Sequence, residues 1–283
     1  MRAHGSVADL PEAGPADHLC WVHDGDAAFD AAVRAFLAGG LARGERLLCV
    51  GERAIASLRG AGAALGDVDA LVADGVLETL TLADAYAAGE GFAVDRQRAF
   101  YEAATGRALA DGHRGLRVVA ELTDIAADPA QLDELVRWEH TADEFMASGS
   151  GMSAMCAYRA ELPAAALAAA AAVHPRGNTS GRLSPHRLFF DGDRVVLTGS
   201  VDTATADAVA AVLAGTPTGP AAVLDVSGLQ FVDVAGCRAL AGWARALHAR
   251  GVAPEIRGAS ALLQRVWRIL GFSEHAPVTF SPA

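Results

Sequence analysis

Side chains that could bind a metal ion lie close together near the start of the chain. His18, Cys20 and His23 form an H-x-C-x-x-H pattern. In an extended strand alternate side chains share one face, so His18 and Cys20 would point the same way while His23 would lie beyond the strand. A closed zinc site needs four ligands, and no matching pair follows at a recognisable spacing. The pattern therefore favours a packed strand end over a metal site.

Glu139 lies on the apolar face of a predicted helix. The apolar positions of that face recur three or four residues apart, at Leu132, Leu135, Val136, Ala142 and Met146. A carboxylate on a buried face is costly unless it is paired or hydrogen-bonded. Two interpretations of Glu139 stay open: an acid that contacts a ligand, or a core carboxylate that is satisfied by an arginine or by backbone amides.

A second group of polar residues follows a predicted buried strand over residues 116–120. Glu121, Thr123 and Asp124 come directly after its carboxyl end. In open parallel sheets the carboxyl ends of the strands face the ligand crevice. These residues therefore either line a pocket or cap the helix that follows.

The sequence lacks the pattern of a phosphate-binding or catalytic site. A P-loop reads G-x-x-x-x-G-K-[ST] after a strand, because backbone amides and a lysine bind the phosphates. Residues 23–30 (HDGDAAFD) contain no lysine, and the glycine-rich residues 148–153 (SGSGMS) precede a strand instead of a helix. No nucleophile–base pair is recognisable. We predict no enzymatic activity and no cofactor; the alternative is an α/β enzyme or nucleotide-binding protein that uses Glu121 or Glu139.

Length, charge and hydropathy bound the class of protein. The 283 residues suffice for two domains with a core each. The net charge of −11 argues against a nucleic-acid surface, which requires a basic patch. The longest apolar run, residues 164–173, is about half of a bilayer span, and the first 18 residues contain no apolar signal-peptide core. We predict a cytoplasmic protein without nucleic-acid or membrane partners, whose four cysteines are buried, reduced thiols.

Strand-like and helix-like patterns alternate over the first part of the chain. Residues 1–17 are predicted to be a disordered lead-in, and the domain that follows spans residues 18–173. The predicted strands are residues 18–22, 46–50, 76–80, 116–120 and 154–158. The predicted helices include residues 54–65, 94–110, 129–147 and 163–173. This alternation is typical of βαβ units, so the predicted class is α/β with a mostly parallel sheet.

Two runs of this domain resemble the MEDS family, the methanogen/methylotroph DcmR sensory domain. Residues 18–50 resemble the start of that domain, and residues 135–175 resemble its end. In the second run, Trp138-Glu139 matches an aromatic-Glu pair of the family helix. Cys156-x-Tyr158 matches the family strand that reads roughly L-C-x-Y. The resemblance covers about residues 17–176. It implies a degenerate RecA-like sheet without a P-loop, and a sensor of small molecules. The candidate ligand-binding residues are His18, Cys20, Glu121, Glu139 and Tyr158.

The C-terminal part follows a linker at residues 174–187 that is rich in Pro, Gly, Ser and Arg. Asp191-Gly192-Asp193 between two short apolar runs predicts a hairpin. Residues 225–237 (DVSGLQFVDVAGC) predict the end of a buried strand, a tight loop, and a helix that begins at Val234 with Asp233 as its N-cap. We predict a second domain over residues 188–283, a mixed sheet covered by helices.

Residues 198–202 (TGSVD) and 225–237 together resemble the STAS domain of anti-sigma factor antagonists. The family pattern is D-x-S-G, two or three apolar residues, then D-S-S/T-G at a helix start. In that family the partner kinase phosphorylates the serine after the second Asp. Val234 and Ala235 occupy the two hydroxyl positions here. The resemblance implies a partner-binding surface formed by Asp202, Ser227, Asp233, Val234, Ala235, Gly236 and Cys237.

The two resemblances together imply a bacterial signalling regulator that controls transcription by partner switching. The expected partner is an anti-sigma factor of the histidine-kinase-like ATPase class, and the expected signal is a small molecule bound by the N-terminal domain. Because valine cannot carry a phosphate, we expect the surface at Val234 to stay in its binding-competent form. A STAS scaffold that has lost sensing is a further alternative.

Overall fold

The structure is a computed structural model that describes residues 2–9, 13–59, 64–86, 92–216 and 221–283. Within these residues the strands form two sheets, one of seven strands and one of six. No helix of the described residues is long and apolar enough to cross a lipid bilayer.

The N-terminal sheet contains parallel pairings throughout. Its strands are β1 (Gly5–Ser6), β2 (His18–His23), β3 (Arg46–Val50), β4 (Leu77–Leu80), β5 (Leu116–Glu121), β6 (Met152–Arg159) and β7 (Arg176–Gly177). Its helices are α1 (Asp26–Ala42), α2 (Glu52–Leu58), α3 (Val68–Ala73), α4 (Leu82–Tyr86), α5 (Val94–Ala110), α6 (Thr123–Ala127), α7 (Pro129–Ala147) and α8 (Ala164–Ala172). The strand order is β1-β7-β2-β6-β5-β3-β4, which confirms the predicted α/β class.

Helices cover both faces of this sheet, so its strands are apolar on both sides. Leu48 and Val118 pack with residues of α5 and α7 on one face. Their chain neighbours Leu47 and Val119 pack with residues of α1 and α2 on the other. This alternation explains the nearly continuous apolar runs of β3 and β5, which the sequence shows as buried strands.

Helix α7 carries Glu139 and begins as its sequence predicts. The Asp128 side chain accepts a hydrogen bond from the Ala130 amide, and Pro129 occupies the first helical turn. The predicted bounds of β3, α5 and α7 agree with the structure. The helix predicted over residues 54–65 is shorter in the structure, where α2 ends at Leu58. Residues 59, 64 and 65 are not helical, and residues 60–63 lie outside the described residues.

Two segments that composition predicts to be irregular take part in the N-terminal sheet instead. Gly5 and Ser6, within the predicted lead-in, pair with Arg176 and Gly177, within the predicted linker. The latter two residues also pair with Leu19 and Cys20. Local composition misses these strands because each is two residues long and exists only through a partner more than 150 positions away. The described part of the lead-in and the start of the linker therefore extend the sheet beyond β2.

The C-terminal sheet is mixed, as predicted. Its strands are β8 (His186–Asp191), β9 (Arg194–Val201), β10 (Ala221–Asp225), β11 (Leu229–Val232), β12 (Ala253–Arg257) and β13 (Thr279–Ser281). Its helices are α9 (Ala206–Gly215), α10 (Val234–Ala249), α11 (Ala261–Ile269) and α12 (Phe272–His275). Strands β11-β9-β10-β12-β13 are parallel neighbours, whereas β8 pairs antiparallel with β9 through the predicted hairpin.

One glycine of β9 allows the strands to meet closely. Gly199 has a φ of 84°, and a Cβ atom there would lie 2.2 Å from the carbonyl oxygen of Pro185. Only glycine tolerates both the left-handed backbone and this approach. Gly199, the glycine of the TGSVD sequence, is therefore required where β9 passes the residue that precedes β8.

The two sheets are joined through helices α7 and α8. Val136 of α7 and Val173 belong to the same apolar cluster as Leu188 and Val209 of the C-terminal part. The Asp143 carboxylate also accepts a hydrogen bond from the Phe190 amide, at 2.6 Å. The first strand of the C-terminal sheet is therefore attached directly to the helix that carries Glu139.

Candidate functional site

Six buried polar side chains meet between β2, β6, α7 and the end of α8. We call them the acid–histidine cluster: His18, Glu139, Asp143, Cys156, Tyr158 and His174. His18 and Asp143 are fully buried, and Cys156 is the most accessible of the six at 5% exposure. A cluster this polar in a dry core is stable only if its members satisfy one another.

Strand register and helix periodicity bring the cluster together. β2 and β6 are paired neighbours, with Cys20 opposite Cys156. His18 lies two residues from Cys20 and therefore on the same face as Cys156. Glu139 and Asp143 are four residues apart and share the inner face of α7. His174 follows α8 directly and closes the cluster from that helix.

Glu139 is the centre of the cluster. Its Oε2 atom lies 3.1 Å from His18 Nε2, 3.2 Å from Cys156 Sγ and 3.4 Å from His174 Nε2. Its Oε1 atom accepts a hydrogen bond from the Tyr158 hydroxyl at 2.9 Å. The sequence left open a ligand-contacting acid or a core acid held by arginine or amides; the groups around it are two imidazoles, a thiol and a phenol.

Asp143 links the cluster to the rest of the molecule. Its Oδ1 atom lies 3.2 Å from His18 Nδ1 and accepts a hydrogen bond from the Arg2 guanidinium at 2.6 Å. Its Oδ2 atom accepts the Phe190 amide at 2.6 Å. Arg2 also donates to the Phe190 carbonyl oxygen at 3.2 Å. The same carboxylate thus binds the N-terminal residues, the cluster and β8.

The surroundings shift the pKa of the cluster residues in opposite directions. Burial opposes ionisation of Glu139, but the facing His174 and His18 hold its pKa far below the usual range. Burial also opposes protonation of His18, yet its bonds to Asp143 and Glu139 raise its pKa. Burial and nearby His18 lower the pKa of His174. These directions favour an ionised Glu139 and a protonated His18 that lies between Glu139 and Asp143.

The thiol and the phenol keep their protons. Burial, and then the charge of Glu139, raise the pKa of Cys156 and of Tyr158 well above their ordinary values. Burial raises the pKa of neighbouring Cys20 to about 12. In this arrangement both Cys156 and Tyr158 donate to Glu139.

The structure unites some of the predicted ligand-binding residues and separates others. His18, Glu139 and Tyr158 belong to the cluster, and Cys20 lies beside it on β2. Glu121 does not: it accepts hydrogen bonds from the amide and hydroxyl of Thr123, so it holds the start of α6. Of the two roles left open for Glu121, helix capping is the one its contacts match.

Sequence reasoning missed Arg2, Asp143, Cys156 and His174 as members of this site. Asp143 carried a recognisable indication, because it is four residues after Glu139 on the same helix face. Cys156 lies two residues before Tyr158 on one strand, so alternation predicts a shared face. Arg2 and His174 lie in the predicted lead-in and linker, where no local pattern points to a buried site.

Two cavities lie near the cluster. The smaller, about 10 Å³, is bounded by His18, Glu139 and Cys156 and by apolar and aromatic side chains that include Trp138. It holds about one water-sized species. The larger, about 220 Å³, lies between α7, α8, β8 and α9 and is lined mostly by apolar residues. An organic molecule fits only the second of these two spaces.

The second candidate site is the Asp233 corner, formed by Thr203, Phe231, Asp233 and Val234. Asp233 Oδ1 accepts a hydrogen bond from the Gly236 amide at 2.9 Å, which makes it the N-cap of α10. Asp233 Oδ2 accepts the amide and hydroxyl of Thr203, both at 2.9 Å. The Gly236 amide is the main cause that lowers the pKa of Asp233. An ionised carboxylate therefore ties the helix start to the loop before α9.

Apolar side chains project around this corner. Phe231 is 54% exposed, Val234 is 42% exposed and Leu262 is 70% exposed. Phe231 and Leu262 line the same groove, of about 190 Å³, between the β11 segment and α11. Large exposed apolar side chains grouped at one groove are typical of interaction surfaces.

The predicted partner-binding residues are divided between surface and core. Ser227 and Val234 are exposed, and Asp202, Asp233 and Ala235 are half-buried. Gly236 and Cys237 are buried; Cys237 packs in the apolar cluster of the C-terminal sheet and also lines the groove beside Phe231. The Ser227 hydroxyl donates to Asp225 Oδ1 at 2.6 Å.

We expect Gly236→Ala to lower the free energy of unfolding by about 1–3 kcal/mol, because overpacking forces neighbours to move. The added Cβ would lie 2.7 Å from Val232 Cγ2 and 3.0 Å from Val201 Cγ1. Gly242→Ala is the matched control on the same helix, since no atom lies within 4 Å of its Cβ position. Alanine there should be neutral or stabilise by up to about 1 kcal/mol. Equal urea-unfolding midpoints for the two variants would contradict the tight packing.

Two family models match the chain, one in its N-terminal part and one in its C-terminal part. Residues 17–175 match the model of the MEDS domain, the methanogen/methylotroph DcmR sensory domain. Residues 188–279 match a STAS domain model described as "Mlab, STAS domain". No curated protein matches the chain significantly. Since the first match spans more than half of the chain, the protein belongs to the MEDS family, and with the STAS domain that follows it is a signalling regulator.

Proposed function

We propose that the STAS domain binds an anti-sigma factor of the histidine-kinase-like ATPase class through the Asp233 corner, and that the MEDS domain controls this binding. The observation that carries the proposal is the exposure of Phe231 and Val234 at the start of α10. Both matched families are regulatory, which supports a role without catalysis. The partner class places the proposed action in the cytoplasm.

The Asp233 corner has the make-up of a docking surface. Its apolar groups, Phe231 and Val234, lie beside a groove that Leu262 also lines. Its polar groups are already bonded within the corner, since Asp233 binds Thr203 and the Gly236 amide. Desolvating such a surface leaves few polar groups without partners, and the apolar groups supply the favourable free energy.

Val234 gives the surface its proposed regulatory state. A phosphate on a serine at this position would add a charge of about −1.5 to −2 next to the Asp233 carboxylate. Valine cannot accept it, so the surface stays uncharged at its apolar centre. Control then passes from a kinase to the MEDS domain.

The contact between the domains offers a route for that control. Asp143 of α7 binds the Phe190 amide of β8 at 2.6 Å, and His140 Nε2 of α7 lies 3.0 Å from Thr216 Oγ1 beyond α9. The cavity of about 220 Å³ lies in the same contact. A ligand that shifts α7 would therefore move the first strand of the STAS domain and the end of α9.

We expect the full chain to bind an ATPase-fold anti-sigma factor equally well with and without ATP, because the chain offers no hydroxyl at Val234. Val234→Ser should restore modification: the variant becomes phosphorylated by the partner, and its binding then weakens when ATP is present. Phosphate incorporation and affinity are measured with each purified ATPase-fold anti-sigma factor of the same genome.

Val72→Ser is the control, since Val72 is exposed to a similar degree, 45%, on α3. It should leave both readouts unchanged. Stoichiometric phosphorylation of the parent chain within residues 225–237 would overturn the role proposed for Val234. Failure of every such anti-sigma factor to bind the parent chain would overturn the partner class.

A further inference from the structure

Four side chains of the acid–histidine cluster present one donor atom each to a common centre. They are His18 Nε2, Glu139 Oε2, Cys156 Sγ and His174 Nε2, and these atoms all lie within 4.8 Å of one another. Four of the six separations are 3.1, 3.2, 3.4 and 3.5 Å. In a tetrahedral zinc site with bonds of about 2.0–2.3 Å, neighbouring donor atoms lie about 3.3–3.8 Å apart. The four separations given are close to that range, and the two others, which both involve His174, are at most 4.8 Å.

The groups behind the donors orient them toward the centre. His18 Nδ1 lies 3.2 Å from Asp143 Oδ1, and His174 Nδ1 donates to the Ala170 carbonyl oxygen at 2.7 Å. Each bond orients its ring so that Nε2 faces the common centre. The Tyr158 hydroxyl occupies Glu139 Oε1 and leaves Oε2 facing the centre. Such outer contacts are the usual supports of metal-binding histidines and carboxylates.

One donor atom lacks a hydrogen-bond partner. His174 is fully buried, and within the described part of the chain its Nε2 atom makes no hydrogen bond, although it lies 3.4 Å from Glu139 Oε2. Because a carbonyl oxygen can only accept, Nδ1 carries a proton, and in the neutral ring Nε2 is an unprotonated nitrogen that faces a carboxylate oxygen. Buried polar atoms are nearly always satisfied, and either a proton or a metal ion between His174 Nε2 and Glu139 Oε2 would satisfy both atoms.

Charge and space select the class of ligand. Metal binding would release the Cys156 thiol proton and the Nε2 proton of His18 to solvent. The four donors would then carry two negative charges, from Cys156 and Glu139, which balance a divalent cation. The adjoining cavity of about 10 Å³ has no room for an organic molecule. A donor set of two imidazoles, a carboxylate and a thiolate suits zinc and its neighbours among the transition metals better than magnesium or calcium.

We propose that His18, Glu139, Cys156 and His174 bind a divalent transition-metal ion of the zinc class. The H-x-C-x-x-H pattern of the sequence contributes only His18 to this site. His23 instead stacks on Phe29, with ring centroids 4.0 Å apart. The remaining ligands come from α7, β6 and the residue that follows α8, which no local spacing reveals.

The ion would act on the STAS domain through Asp143. That carboxylate touches ligand His18 on one side and the Phe190 amide of β8 on the other. Drawing His18 Nε2 toward a metal ion changes the position and charge of the ring that Asp143 holds. This consequence rests on the proposed sensory function, whereas the metal site itself does not.

The site is tested on the full chain, stripped with a chelator and titrated with Zn²⁺ or with Co²⁺ as a spectroscopic probe. We expect one equivalent to bind, and bound Co²⁺ to show a thiolate-to-cobalt absorption band. Cys156→Ser should abolish the band, and Cys156→Ser and His174→Gln should each weaken binding at least about 10-fold. Cys49 is a buried cysteine on β3 outside the cluster, so Cys49→Ser should change neither the absorption band nor the metal affinity. Far-UV circular dichroism verifies that the variants fold.

Absence of the thiolate-to-cobalt band in the parent chain would overturn the site, and this readout needs no variant. Equal binding by Cys156→Ser and Cys49→Ser would overturn it too. Affinity for the anti-sigma factor, measured with and without zinc, is a separate readout. If zinc binds without changing that affinity, the ion is not the signal. If the partner binds but zinc does not, the metal site is refuted and the proposed function still stands.

Discussion

The Val234→Asp variant should bind the proposed anti-sigma factor at least about 30-fold more weakly than the parent chain, since an unpaired charge desolvated in an interface costs several kcal/mol. Val234 is 42% exposed at the start of α10, directly beside the ionised Asp233. A second carboxylate there adds a negative charge at the position where a phosphoserine would carry one. Affinity is measured by calorimetry or surface plasmon resonance with the purified partner.

Val72→Asp is the matched control for this experiment. Val72 is a valine of nearly equal exposure, 45%, on α3 of the MEDS domain. The same substitution there should leave partner affinity within about two-fold, because a surface charge far from the interface acts only weakly through water. Similar losses in both variants would mean that the Asp233 corner is not the docking surface.

Glu139→Ala should lower the free energy of unfolding by about 3–5 kcal/mol, the usual cost of removing one partner from a buried ionic group. Glu139 is fully buried and faces His18, Cys156 and Tyr158. Its removal takes away one of the groups that raise the pKa of His18. The Cys156 thiol and the Tyr158 hydroxyl also lose their hydrogen-bond acceptor. Urea unfolding followed by circular dichroism, with a chelator present, measures the change.

Glu102→Ala serves as the comparison for Glu139→Ala. Glu102 also lies on a helix and pairs with a base, Arg98, but its side chain is 46% exposed. Exposed ion pairs contribute about 0–1 kcal/mol, so this variant should unfold close to the parent chain. If the two variants lose the same stability, Glu139 does not hold the cluster together.

The periodic elements of both domains were predictable because each is a local property of the chain. The bounds of β3, α5 and α7 agree with the structure, as does the Asp191-Gly192-Asp193 hairpin. Short elements such as β1 and β7 were not predictable, since two residues carry no period. Their strand character comes from each other and from β2.

The buried site was only half predictable for a related reason. Glu139 stood out because a charged residue interrupts an apolar helical stripe, and the family pattern marked Tyr158. His174 and Arg2 could not stand out, since composition assigned them to a linker and a lead-in. Their burial depends on where α8 ends and on the pairing of β1 with β7.

By itself the sequence determined the alternation of strands and helices, the acidic character of the chain, and the absence of a hydroxyl at Val234. These follow from residue identity and short-range spacing. Only the tertiary structure decided which polar groups meet: His18 and Cys156 are 138 positions apart, and Asp143 and Phe190 are 47 apart. Strand register and helix packing join such residues, and the cost of burying a polar group makes their mutual satisfaction a condition of the fold.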